Sequence, residues 1–86
     1  MPLISKFYGI KIFIHWDDHY PMHFHAHYAE FSIVVSIEDT SVIEGYFPSK
    51  QLKLVLAWAT IHKKELLQCW KLSKQNQPLE KIDPLR

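Results

Sequence analysis

Hydrophobic and polar positions alternate with period two through the first half of the chain and take a helical period in the second. In residues 6–16, Tyr8, Ile10, Ile12, Ile14 and Trp16 fall on one side and Phe7, Lys11, Phe13 and His15 on the other. That β-branched and aromatic alternation predicts one strand with a buried face. The stretch DDHYP, residues 17–21, supplies a turn, because aspartate bonds its own backbone and proline restricts the residue before it. Residues 23–28 alternate again, with His23, His25 and His27 opposite Phe24, Ala26 and Tyr28. Residues 31–37 place Phe31, Ile33, Val35 and Ile37 on one face, EDTS makes the next turn, and residues 42–47 complete a meander. Short connections of this kind favour antiparallel neighbours.

From Pro48 the apolar spacing becomes helical. Pro48 suits a first helical turn and Ser49 a cap. Leu52, Val55, Leu56, Ala59, Leu66 and Trp70 form one stripe, Thr60 to Lys63 leave room for a kink, and Asn76 with Pro78 end the helix. The expected architecture is α+β in a single domain over residues 1–86. It has a small antiparallel sheet of three or four strands over about 6–47 and one long helix over about 48–75, packed on one face. An extended C-terminal strap, residues 78–86, is pinned by Leu79, Ile82 and Leu85. A second apolar stripe, Leu54, Trp58 and Ile61, exceeds what one sheet face requires. It predicts either burial beneath the tail or an interface with a partner protein.

Composition narrows the setting. The lone Cys69 cannot form an internal disulfide, which fits a reducing compartment and excludes a cysteine-based zinc knuckle. No apolar run approaches the roughly 18 residues that span a bilayer, and the amino terminus lacks a secretory pattern, so the expectation is a cytoplasmic protein without a membrane partner. Charge is unevenly spread. Residues 1–47 carry two lysines against six acids, a balance of −4, whereas residues 48–77 carry six lysines against Glu65, a balance of +5. The basic half is either a solvated helix face or a phosphate-binding surface.

Five of the six histidines lie between positions 15 and 27. Histidines at i and i+2 on a strand project the same way, about 6.6 Å apart, so His23 and His25 can converge on one ion. Asp18, Asp17 or His19 from the adjacent turn would then be a third ligand to a divalent metal such as zinc. The competing chemistry is metal-free. Imidazole changes charge between pH 5 and 8, so a close pair can act as base and acid on a phosphodiester, with Asp18 orienting one ring and His19 in support. The structural alternative is polar decoration of a sheet, and it is the default for His15, His27 and His62. No phosphate-cradling glycine loop, nucleophilic serine or cysteine motif, or known RNA-binding signature is present.

The segments PLISKFYGIKI, DDHYPMHFHAHY, EGYFPSKQLKLVLAWATIHKKELLQCW and PLEKIDPLR together resemble the small bacterial family catalogued as domain of unknown function 4160. That family opens on Pro-x-Ile-Ser-aromatic, carries Asp-His-Asn-Pro-Pro-His-Phe-His-Ala and closes on Ile-acid-Pro-Leu. Asp18, His19, Pro21, His23, Phe24, His25, Ala26 and Tyr28 match the signature, while Tyr20 and Met22 depart from it. The resemblance implies a cytoplasmic growth inhibitor, the toxin component of a bacterial toxin–antitoxin module, neutralised by a small cognate antitoxin-like protein; the histidine cluster adds the expectation that it acts on RNA or another phosphodiester. The alternative is a non-catalytic module that binds a metal and a partner.

Overall fold

The structure is a computed structural model that describes residues 3–16 and 19–86. It is α+β, with five antiparallel strands and two helices among the described residues. The strands are β1 (Leu3–Phe7), β2 (Ile10–Phe13), β3 (His23–Tyr28), β4 (Phe31–Ser36) and β5 (Ser41–Tyr46), side by side in chain order. The helices are α1 (Ser49–Ile61) and α2 (Lys63–Lys74). The expected sheet of three or four strands and single long helix are therefore corrected to five and two.

Each correction has a local cause. The alternating run expected as one strand folds back on itself at Tyr8 and Gly9, both of which have positive φ (49° and 79°). Two central residues with positive φ make the type I′ hairpin turn whose twist suits antiparallel strands. Phe7 therefore pairs with Ile10 and joins it on the buried face, although simple alternation places the two on opposite sides. The helix breaks at His62, whose φ of −105° and ψ of 26° leave the helical region. Its N–H closes α1 on the Trp58 carbonyl, and its carbonyl accepts the Leu66 N–H that begins α2. The His62 ring also meets the Glu65 carboxylate at 2.7 Å. Glu65 in the first turn of α2, with Lys71 and Lys74 in the last, suits the helix dipole. Pro48 occupies the N-cap position of α1, and Ser49 is helical and makes no side-chain cap.

One sheet face forms the core. Ile10, Ile12, Phe24, Ala26, Ile33 and Val35 are buried there under the helices. The keystone is Trp58, fully buried, with its indole 5.3 Å from the Phe7 ring and 5.8 Å from the Phe24 ring. The strap closes over it: Trp58 Nε1 donates to the Asp83 carbonyl at 2.8 Å, and Ile82 N donates to the Ile4 carbonyl at 2.7 Å. Trp58 thus takes the first of its two expected places, burial beneath the tail; Leu54 is half-buried and Ile61 is 65% exposed.

Gly45, on β5, has φ of +91°, and a Cβ there would stand 2.2 Å from the Ser32 carbonyl oxygen and 2.9 Å from Ile33 Cα. Both obstacles are backbone, so β4 and β5 would have to separate. Gly45→Ala is expected to cost at least about 1–3 kcal/mol for the strained backbone alone, read as a lower midpoint in denaturant with unchanged slope.

Cys69 lies beneath the strap, its Sγ 3.5 Å from the Glu80 carbonyl oxygen. Burial, reinforced by Glu80 and Glu65, pushes its thiol from 9.0 up to about 11. A raised acid pKa favours the neutral thiol in the fold, so this stabilising contribution is complete below about pH 9 and is lost as pH climbs toward about 11. Iodoacetamide at pH 8 is expected to alkylate the native thiol at least about a hundredfold more slowly than the unfolded one, since two pH units separate their thiolate populations.

Candidate functional site

The strand pairing sorts the histidines. Phe13, His25, Val34 and Glu44 stand abreast across β2 to β5, and Lys6, Lys11, His27, Ser32 and Tyr46 form a second row across β1 to β5. Both rows lie on the face opposite Ile12, Ala26 and Ile33. His23 pairs with Ser36 on this same outer face, and His15 follows Phe13 with the same parity just beyond β2.

Here three imidazoles meet. The His15 and His25 rings lie 4.2 Å apart between centroids and cross at 67°, while His23 and His25 lie 5.1 Å apart and cross at 72°. All three are half-buried. His27 packs instead against Phe13, at 5.0 Å. His23 Nδ1 is 2.7 Å from the Pro21 carbonyl oxygen. A carbonyl only accepts, so Nδ1 carries hydrogen and the lone pair of the neutral ring sits on Nε2.

Helix α2 reaches the same place from the side. The Trp70 indole lies 5.3 Å from the His23 ring and 5.9 Å from the Tyr20 ring, and Lys74 Nζ stands 4.4 Å above it. A cation over an indole face is attracted by the ring quadrupole, so Trp70 holds one lysine of the basic segment close to the histidines.

Of the residues expected to form the site, His23 and His25 are brought together. His19 is exposed at the turn, and Asp18 lies outside the described residues, as does Asp17. Among the described residues no three histidine, cysteine, aspartate or glutamate side chains are grouped to hold one ion. Pattern reasoning undervalued His15, whose ring is nearest to His25, and missed Trp70 and Lys74. The signal for His15 was its shared parity with Phe13, but only the Phe13–His25 pairing makes that parity meaningful. Nothing local to residues 70–74 points toward His23.

The family model described as "Domain of unknown function (DUF4160)" matches residues 9–71. The chain belongs to that family. The span matched by DUF4160 contains all six histidines and both helices up to Lys71. No curated protein and no solved structure matches this DUF4160 chain. Among the described residues no helix is long and apolar enough to cross a membrane.

Proposed function

We propose that this protein is the growth-inhibiting member of a bacterial two-protein module and cleaves RNA by acid–base chemistry at His23 and His25, with His15 positioning His25. The observation that carries the reading is the run of three imidazoles in ring contact on an outer sheet face. Sheet stability gives no reason to gather half-buried titratable rings there, whereas proton transfer at neutral pH uses such a group.

The reaction needs two protons moved. The ribose 2′-hydroxyl attacks its own phosphorus, and a neutral imidazole takes the hydroxyl proton. As the P–O bond to the next nucleotide breaks, a protonated imidazole gives its proton to the departing 5′-oxygen. The products are a 2′,3′-cyclic phosphate and a free 5′-hydroxyl, and the proton count balances. His23 Nε2 is an atom suited to one of these transfers, because the Pro21 carbonyl fixes the ring through Nδ1. The partner would be a small antitoxin-like protein that silences this chemistry.

The test is bacterial growth after inducing the parent chain, beside a His25→Ala variant expressed to the same level and shown to be folded. Arrest by the parent alone, with 2′,3′-cyclic phosphate ends on cellular RNA, supports the reading. Equal arrest by both, or no arrest by the parent, removes it and leaves a non-catalytic binding module.

A further inference from the structure

The row Lys6, Lys11, His27 sets two lysines directly opposite each other, with an imidazole next in line. Like charges in opposed positions of an antiparallel pair are destabilising. Among the described residues neither lysine has a carboxylate within ion-pair distance, and both are exposed. Among the described residues this leaves an uncompensated positive stripe on one edge of the outer face. Continuing along the row, Ser32 is exposed and Tyr46 is 67% exposed. Strands about 4.8 Å apart make this row about 19 Å long. Phe13, abreast of His25, meets His27 of this row ring to ring at 5.0 Å and so links the two rows. His25 is two residues from His27 along β3, about 6.8 Å by the strand rise.

We infer that the outer sheet face is a binding platform for single-stranded RNA, in which Lys6 and Lys11 hold backbone phosphates while Tyr46, Phe13 and His27 stack bases beside the His15–His25–His23 group. It rests on the phosphodiester reading above and adds the form of the substrate and the surface that holds it. The occupant follows from charge and ring chemistry together. Cations with no carboxylate partner among the described residues call for an anion, and the outward-facing rings, Phe13 against His27 and Tyr46 against Phe31, call for π-faces, both of which an unstacked polynucleotide supplies. A duplex hides its base faces, and an acidic peptide would not use the rings. Glu44, in the row of His25 and two residues from Tyr46 on β5, confines the positive charge of this face to its β1–β2 side.

Fluorescence anisotropy with a labelled 2′-O-methyl-uridine strand of about twelve nucleotides tests it, the blocked 2′-oxygen preventing cleavage. The parent is expected to bind this strand at least about tenfold more tightly than the matched duplex. Lys6→Glu and Lys11→Glu are each expected to weaken binding about tenfold and to lower the salt slope by about 0.7 for each phosphate that the variant no longer neutralises. Tyr46→Ala is expected to weaken it about fivefold or more. Lys53→Glu, exposed on α1, should bind like the parent. No binding by the parent, parental binding by Lys11→Glu and Tyr46→Ala, or an equal loss in Lys53→Glu would overturn the platform. Cleavage of an unmodified strand is measured alongside. Cleavage with KM unchanged in Lys11→Glu and Tyr46→Ala leaves the chemistry standing and removes the platform, whereas binding without cleavage keeps the platform and removes the chemistry.

Discussion

The His25→Ala protein is expected to cleave single-stranded RNA about 10²- to 10⁴-fold more slowly than the parent, the range over which a positioned acid or base accelerates proton transfer. His25 touches both other rings, so its loss separates His15 from His23 as well as removing one imidazole. His23→Ala should fall in the same range, because it deletes the ring fixed by the Pro21 carbonyl. His15→Ala should lose less and chiefly in kcat, since His15 acts through His25. Residues that act as a unit do not add. The double variant His23→Ala/His25→Ala should therefore be little slower than either single one. Single-turnover cleavage assays, with thermal melting to confirm folding, read all four. If His25→Ala retained parental kcat, the histidine group would have no part in the reaction.

Trp58→Ala should produce the largest loss of stability in the molecule, about 3–5 kcal/mol. The indole is fully buried between Phe7 and Phe24 and bonded to the Asp83 carbonyl. Its removal therefore opens a cavity and frees the strap together. For a domain of this size each kcal/mol corresponds to about 4–8 °C, so melting should fall by at least about 12 °C. Trp58→Phe separates the two contributions: it keeps an aromatic ring in the cavity but cannot donate to Asp83, and should cost about 1–2 kcal/mol. Differential scanning calorimetry distinguishes them. Equal melting temperatures for Trp58→Ala and the parent would mean that the strap and core do not depend on this side chain.

Alternation alone located β3 over residues 23–28, because its histidines and its Phe24, Ala26 set separate cleanly and turn residues flank it. The same rule failed over residues 6–16. Tyr8-Gly9 lacks the Asn-Gly or Asp-Gly signal of a tight hairpin, and apolar residues continue on both sides of the turn. At His62 the apolar spacing runs through the break, so the two helices read as one. Trp58 was ambiguous for a different reason: its burial depends on Phe7, which reaches the core only because the hairpin forms. For the site, the i and i+2 spacing of His23 and His25 was legible, while the His15 contact required the β2–β3 register and the Trp70 contact required the packing of α2.

The hydrogen bond from Ile82 to the Ile4 carbonyl places the strap on the outer side of β1, while β5 is exposed at all six positions. The two borders of the sheet are thus unequal in what they can accept. A strand arriving from another molecule meets the strap at Ile4 on the β1 border and an exposed border at β5, where the Ile43 bulge and Glu44 limit flat stacking. Open-ended polymers by strand addition need two available borders per molecule. The strap at Ile4 obstructs one of the two, which favours addition that ends at a pair over growth into a fibre.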